Sequence, residues 1–130
     1  MSIEKTINNL IQLEKILPTI LAEQAKNFFQ DSFTNQGFTD KTLVKWTQSR
    51  AGKKRGGATL VDSGILRGAI MVTNVNASGF QVGVRADVEY AQQHNEGTKG
   101  QVKRQFIGRS ERLVKLMQAR VNREIRNAMK

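Results

Sequence analysis

The sequence predicts an α+β fold in which a small, mostly antiparallel sheet of about three to four strands packs against a long N-terminal helix and a C-terminal helix. Apolar residues recur at three- and four-residue spacings over residues 3–34 and again after Ser110. Two short segments between these regions are rich in β-branched residues, which favour strands. A chain of 130 residues has room for a single domain around one hydrophobic core.

Residues 1–36 are predicted to form a helical arm. Its apolar positions, with charged residues between them, are Ile3, Ile7, Leu10, Ile11, Leu13, Leu17, Leu21, Ala25, Phe28, Phe29 and Phe33. Pro18 interrupts this pattern, and proline inside a helix removes a backbone hydrogen bond and clashes with the preceding turn. We therefore expect a break near Pro18, with a short first helix and a longer second one. Gly37 can adopt the left-handed conformation that commonly ends a helix, so we expect the arm to end there.

Residues 38–59 lose all periodicity and are predicted to form a flexible basic loop. The loop contains Trp46 and a glycine-flanked basic run, whose charged residues are Arg50, Lys53, Lys54 and Arg55. This run is not a phosphate-binding P-loop, because the Gly-Lys-Ser/Thr ending is missing and no apolar strand precedes it. A loop of this length in a small domain is usually functional or disordered.

Residues 60–108 are predicted to hold the sheet core. The run Asp62-Ser63-Gly64 is typical of a turn or a helix cap and leads into a short helical turn at 65–67. Residues 69–75 and 79–84 are predicted to pair as a β-hairpin around an Asn-Ala-Ser-Gly turn.

Three further elements complete the predicted order. Residues 90–96 should form a short helix that ends at Gly97, and residues 105–107 are expected to add a third strand. Residues 110–129 should form the C-terminal helix, with Ser110 as its cap. The apolar row of this helix is Leu113, Met117, Val121 and Ile125, and its opposite face is expected to carry Arg112, Lys115, Arg120, Arg123 and Arg126.

The composition excludes several classes of protein. The chain has no cysteine, which excludes disulfides and thiolate metal sites and favours a reducing compartment. No segment approaches the roughly 18 continuous apolar residues of a membrane span, and the N-terminus lacks the features of a signal peptide, so we expect a cytoplasmic protein without a membrane partner. A hydrophobic fraction of only 38% indicates a small core whose helices need a partner to cover their second face.

The net charge of +10 is unevenly distributed. Residues 1–40 hold three Lys against five Asp or Glu, giving −2, whereas residues 41–130 hold 18 Lys or Arg against six Asp or Glu, giving +12. This asymmetry is typical of a surface that meets nucleic acid or an acidic protein face. The alternative is a solvated surface that charge keeps soluble, and the sequence leaves both open.

The residues that could support catalysis lack the partners that catalysis needs. His94 is the only histidine, and with Glu89 or Glu96 it could in principle serve a small hydrolase or nuclease, the weakest hypothesis of those considered. No HExxH or similar ligand spacing surrounds it, so His94 is expected to cap or hydrogen-bond within its short helix. Ser63 lacks the G-x-S-x-G frame of a nucleophile elbow. We expect no enzymatic activity, no cofactor and no metal.

Three segments occur in a distinctive order: L-V-D-S-G-I-L-R at 60–67, Y-A-Q-Q-H-N-E-G at 90–97 and R-Q-F-I-G-R-S at 104–110. A long helix ending in F-x-x-Q-G-F at 33–38 precedes them, and a closing helix follows. Over nearly the whole chain this order resembles the phage virion morphogenesis family, the tail completion or head–tail joining proteins of Mu-like phages and prophages. Val102 and Gln105 stand where that family often carries prolines.

The resemblance implies a non-enzymatic neck or tail-terminator protein that forms a ring at the head-proximal end of the tail. Its implied partners are copies of itself and other phage neck, tail-tube or connector proteins, first in the host bacterial cytoplasm and then in the virion. The residues matching the family signature are expected to be structural; they are Ser63, Gly64, Leu66, Tyr90, Ala91, His94, Gly97, Arg104 and Phe106.

A basic module that binds nucleic acid without sequence specificity is the alternative function. The residues expected to contact a partner or DNA are Arg50, Lys53, Lys54, Arg55, Lys99, Lys103, Arg112, Arg120 and Arg123. Aromatic residues that could stack on bases are scarce, and no tight helix-turn-helix is present, which argues against sequence-specific reading of DNA.

Overall fold

A computed structural model of the chain describes residues 2–47, 64–85, 87–98 and 102–130, without the side chains of Glu89 and Tyr90. The helices are α1 (Ile3–Asn35), α2 (Ile65–Gly68), α3 (Glu89–Glu96) and α4 (Glu111–Ala128), and the strands are β1 (Gly37–Thr39), β2 (Leu43–Lys45), β3 (Ile70–Asn76) and β4 (Gly79–Val84). The predicted α+β class is confirmed. The strands form two separate antiparallel sheets, β1–β2 and β3–β4, rather than one.

The first helix, α1, is continuous through Pro18, so the predicted break into two helices is wrong. It begins at Ser2, whose side chain accepts a hydrogen bond from Lys5 N, and it ends at Gln36, which takes the left-handed conformation with φ of 54°. The left-handed residue is thus Gln36 and not Gly37. Gly37 instead opens β1, where an added Cβ would overlap the carbonyl oxygen of Val44.

Packing against α4 explains why α1 continues past the proline. The two helices run antiparallel, since Asn9 Nδ2 donates to Ala128 O at 3.1 Å and Gln24 Nε2 donates to Leu116 O at 3.4 Å. These contacts lie on either side of Pro18, and α1 has buried apolar residues both before and after it. Tertiary packing therefore outweighs the hydrogen bond that the proline removes.

The predicted loop at 38–59 begins as a β-hairpin, which corrects that prediction for its first residues. Phe38 pairs with Val44 and Thr39 with Leu43, and Trp46 N donates to Gln36 O at 2.7 Å just beyond the pair. The basic run at 50–55 lies outside the described residues. The β1–β2 hairpin packs on the end of α1 through Phe38, whose ring stacks on Phe29 at a centroid distance of 6.4 Å.

The predicted hairpin at 69–84 and the two predicted short helices are confirmed. Strands β3 and β4 pair antiparallel from Ile70↔Val84 to Asn76↔Gly79, with an irregularity between Thr73 and Asn76. Helix α2 follows Gly64, and α3 ends at Gly97, whose φ is 72°. Both glycines have positive φ, a conformation that L-residues with a side chain adopt only at a cost.

The predicted third strand at 105–107 is wrong. Residues 102–106 have no regular secondary structure, and side chains satisfy several of the backbone groups between 105 and 107. Asn95 Oδ1 accepts from the backbone amides of Phe106 and Ile107, and Ser32 Oγ donates to Phe106 O at 3.0 Å. These bonds satisfy the same groups that a strand ladder would have paired.

The C-terminal helix α4 begins at the predicted cap. Ser110 Oγ accepts from Leu113 N at 3.1 Å and donates to Thr39 O at 2.7 Å, so the same hydroxyl caps α4 and ties it to β1. Asp40 Oδ1 accepts from Glu111 N at 2.8 Å, which places a negative charge at the helix N-terminus. The end of β1 thus sets the direction in which α4 leaves.

The hydrophobic core lies where α1, the two hairpins and the segment around Phe106 meet. Phe33 and Phe106 are among the largest fully buried side chains, with ring centroids 5.1 Å apart, and Trp46 contacts Phe33 edge-on at 5.6 Å. Ile70 brings β3 into the same cluster. Within the described ranges, no helix has both the length and the apolar character that a transmembrane span requires.

Candidate functional site

The last two signature segments contact each other directly. Arg104 N donates to His94 O at 2.7 Å, and Asn95 Oδ1 accepts from Phe106 N at 2.8 Å and from Ile107 N at 3.0 Å. The end of α3 therefore holds the backbone of residues 104–107 in place. Motifs that are separate in the sequence form one structural unit.

Gly97 allows this contact because a larger residue would not fit. A Cβ at Gly97 would lie 2.8 Å from Lys103 Cβ and 3.1 Å from Lys103 Cα, closer than real Cβ contacts. The positive φ of Gly97 also disfavours any residue with a side chain. The glycine thus ends α3 and lets the returning chain pass against it.

Arg104 fixes the same segment from its other side. Its side chain is buried, and its Nε donates to Thr47 O at 2.9 Å. Trp46 Nε1 donates to Gln105 O at 2.8 Å. Trp46 and Thr47, which follow β2, thus hydrogen-bond to Gln105 and Arg104, two neighbouring residues of the third signature segment. Arg104 therefore ties residues 104–107 to the chain that follows β2.

His94 lies at the junction between α3 and Arg104. Its Nδ1 is buried and has no hydrogen-bond partner among the residues that the structure describes. Burial, and secondarily the positive charge of Arg104, lower the pKa of His94 below its ordinary value. The environment therefore favours the neutral imidazole.

The acidic residues near His94 do not assemble into a described catalytic or metal site. Glu96 is exposed, and its Oε1 accepts from Gln92 Nε2 at 3.3 Å, while the side chain of Glu89 lies outside the described set. No cluster of three or more His, Asp or Glu side chains suited to a metal occurs in the described parts of the chain.

The other signature residues are mostly core residues. Leu66, Ala91 and Phe106 are buried, and Gly64 supplies the left-handed start of α2. Tyr90 lies in α3, with its side chain outside the described set, and Ser63 lies wholly outside it. Where the structure describes them, these residues shape and pack the fold.

The basic residues expected to contact a partner do not share one surface. Arg50, Lys53, Lys54, Arg55 and Lys99 lie outside the described residues. Arg112 and Arg123 are exposed on the same face of α4, together with Lys115 and Arg126. Arg120 is not on that face: it is half-buried beside α1, and its Nε pairs with Glu124 Oε1 at 2.8 Å, which corrects its predicted position.

Lys103 belongs to a different feature, a groove of about 440 Å³ between the β1–β2 hairpin and residues 103–109. Lys45, Lys103 and Arg109 supply its positive charge, and Trp46 forms part of its wall. Sequence analysis found only Lys103 here. Lys45 and Arg109 are isolated basic residues in the sequence, and only the fold brings them together.

Helix α1 carries one apolar face that is buried in its second half and exposed in its first. Ile7 and Ala25 are 18 residues apart, five full helical turns, and so are Ile11 and Phe29. Ala25 and Phe29 are 2% and 6% exposed, whereas Ile7 and Ile11 are 50% and 44% exposed. The same face thus runs beyond the core that covers it.

Helix α4 continues this uncovered region. A groove lined by Leu21, Phe80 and Val121 marks where the β3–β4 hairpin stops covering the helix pair. Beyond it, Ile125 and Met129 are 38% and 53% exposed and lie at the level of the first turns of α1, given the Asn9–Ala128 hydrogen bond. We call the exposed residues Ile3, Ile7, Ile11, Ile125 and Met129 the distal apolar patch.

Comparison of the chain with known protein families, with curated proteins and with solved structures found no match to any of them.

Proposed function

We propose that this chain is a structural protein of the phage neck or tail end that acts in tail completion and head–tail joining, as a ring of identical subunits that docks other neck, tail-tube or connector proteins. The order of the signature segments supports the family assignment. The distal apolar patch is the observation that supports an assembly role most strongly, because it offers a surface for another subunit.

The position of the patch favours association over solvent exposure. An amphipathic helix typically turns its apolar stripe toward the core, but α1 buries only Leu13 in its first half and leaves Ile3, Ile7 and Ile11 exposed. Burying the remaining isoleucines would contribute about 25 cal/mol per Å² of apolar area. A second copy of the chain can supply that cover, since homo-oligomers are the usual assembly of soluble subunits.

The contacts of the signature residues support a structural function as well. Ala91, Gly97, Arg104 and Phe106 pack or hydrogen-bond to hold residues 102–107 against α3 and Trp46. A rigid junction of this kind presents the neighbouring surfaces in a fixed geometry, which repeated subunit contacts require.

The proposal is tested by the assembly state of the purified protein, alone and with a tail-tube protein from the same phage or prophage. Native mass spectrometry and negative-stain microscopy should show rings or a defined complex. Non-interacting monomers in both preparations would contradict it.

A matched pair of variants locates the interface on α1. Ile7→Glu/Ile11→Glu places charges in the distal apolar patch and should convert the oligomer to a monomer while the helical circular dichroism is retained. Ile16→Glu is the control, because Ile16 is 52% exposed on the same helix but lies on a different face. Equal loss of assembly in both variants would argue against the patch as the interface.

The exposed basic face of α4 favours a second candidate, non-specific binding of nucleic acid. Arg112, Lys115, Arg123 and Arg126 project from it, and within the described ranges none of them forms an ion pair. Duplex DNA titrated at two salt concentrations tests this function, since phosphate contacts weaken steeply with added salt. Binding that is absent at low salt, or insensitive to salt, would eliminate it.

A further inference from the structure

We infer that the groove between the β1–β2 hairpin and residues 103–109 is a docking site for an acidic peptide segment of a partner protein. The groove is lined by Phe38, Asp40, Val44, Lys45, Trp46, Thr47, Lys103, Gln105 and Arg109. It combines a fixed aromatic wall with basic residues that form no ion pair within the described parts of the chain. The inference is independent of the proposed assembly role, because it rests on the chemistry of the groove alone.

The apolar part of the groove is held rigidly. Trp46 donates its Nε1 proton to Gln105 O at 2.8 Å and contacts Phe33 edge-on, with the ring planes at 71°. Phe38 stacks on Phe29 from beneath the hairpin. An indole fixed in this way binds an apolar side chain with little loss of conformational freedom, which is what an anchor pocket requires.

Three cations surround this apolar wall. Lys103 and Arg109 are exposed and form no ion pair within the described residues, and Lys45 Nζ donates only to the backbone oxygen of Asn35 at 3.0 Å. The groove also contains the carboxylate of Asp40, which accepts from Glu111 N at the start of α4. One negative charge against three positive ones leaves the groove complementary to an acidic ligand.

The shape of the groove favours a peptide over nucleic acid. Strand β2 pairs only with β1 in the described residues, and within them no strand competes with an extended peptide backbone for its other edge. Val44 is 68% exposed and offers an apolar contact that phosphates and sugars cannot use. A peptide in which acidic residues flank one or two apolar side chains would match both the positive charge and the apolar wall of the groove.

Fluorescence of Trp46 reports directly on the groove, because it is the only tryptophan in the chain. The probe is a short synthetic peptide in which glutamates flank two leucines, and its control has lysine at every glutamate position. We expect a saturable change in Trp46 emission with the acidic peptide but not with the lysine control. Binding of the acidic peptide should weaken as salt is added. No saturable change with the acidic peptide would overturn the inference.

Charge reversal tests the role of the two exposed cations. Lys103→Glu/Arg109→Glu should weaken binding of the acidic peptide by roughly tenfold, as expected for losing two rim ion pairs. Arg123→Glu/Arg126→Glu, the same two charge reversals on the exposed face of α4, should leave the affinity unchanged. Equal affinity in the double variant and the wild type would contradict the site.

Two further measurements keep the result interpretable. Arg109→Gln removes one charge without reversing it and replaces the double variant if thermal unfolding shows that the latter is misfolded. A single-stranded oligonucleotide, titrated in the same assay, is the competing ligand. Tighter binding of the oligonucleotide than of the peptide, lost in the Lys103 and Arg109 variants, would assign the groove to nucleic acid and overturn the peptide assignment.

Discussion

The side-chain oxygen of Asn95 accepts hydrogen bonds from two consecutive backbone amides, those of Phe106 at 2.8 Å and Ile107 at 3.0 Å. The Asn95 side chain, at the end of α3, thus provides a hydrogen-bond acceptor for backbone amides that have no partner strand. Phe106 is fully buried, so the same two bonds also place its ring against Phe33.

Replacing Asn95 should therefore destabilise the fold. Asn95→Ala leaves both amides without their acceptor, and we expect a loss of about 2 kcal/mol in the free energy of unfolding. Asn95→Asp keeps an acceptor oxygen at the same position and should retain most of the stability. Urea denaturation measures both variants. An alanine variant as stable as wild type would show that these bonds contribute nothing net.

Gly97 should tolerate no side chain. Gly97→Ala adds the strain of a positive φ to the 2.8 Å approach of Lys103 Cβ, and we expect a loss of about 1–3 kcal/mol. Gly83→Ala is the matched control, because a Cβ at Gly83 meets nothing within 4 Å and the residue lacks a positive φ. Thermal unfolding of both should separate them; equal melting temperatures would contradict the steric account.

The stability of the protein should fall on acidification through His94. Its pKa is lowered in the folded state by burial and by Arg104, so the unfolded chain takes up the proton first as pH falls below about 6.5. At higher pH both states hold a neutral imidazole, and His94 then adds no pH dependence. Chemical denaturation from neutral pH to about 5 should show a steeper loss in wild type than in His94→Gln. Identical slopes would refute this.

Removing Pro18 should stabilise the protein. Pro18→Ala restores a helical hydrogen bond within the continuous α1, offset by the greater freedom of the unfolded chain, and we expect a net gain of about 1–2 kcal/mol. Lys15→Ala, an exposed change in the same helix, should shift stability by less than about 0.5 kcal/mol. A destabilised proline variant would mean that packing against α4 depends on the geometry that Pro18 imposes.

Local sequence signals predicted the elements whose structure is decided locally. Helix α4 begins at Ser110 because a serine hydroxyl can cap the helix by itself, and α3 ends at Gly97 because glycine adopts positive φ without strain. The β3–β4 hairpin follows from its β-branched strands and its short turn. In each case the residues that specify the element lie within or next to it.

Predictions failed where distant contacts decide the conformation. Pro18 indicated a break, but α4 packs along both halves of α1. Residues 105–107 were expected to form a strand, but Asn95 Oδ1 and Ser32 Oγ bond their backbone groups in place of one. The loop expected from Phe38 onwards begins as a hairpin, because Phe38 packs on α1 and Thr39 O accepts a hydrogen bond from Ser110 Oγ.

For the candidate site, the sequence indicated the signature segments and a basic C-terminal half but not their arrangement. It could not show that Lys103 and Arg109 line the same groove as Lys45 and Trp46. These two parts of the groove lie almost 60 residues apart along the chain, and neither periodicity nor spacing encodes their proximity. The Arg120–Glu124 ion pair, in contrast, has the i,i+4 spacing of a helix and could have been predicted.

By itself, the sequence determined the α+β class, the β3–β4 hairpin, the helices α2 to α4 and the apolar face of α1, because propensity, capping and periodicity act over a few neighbouring residues. Only the tertiary structure decided how much of that face is covered. The core reaches Ala25 and Phe29 and stops before Ile11, since the β3–β4 hairpin is too short to follow the helix pair to its end. Burial depends on what lies opposite, and that is a property of the whole fold.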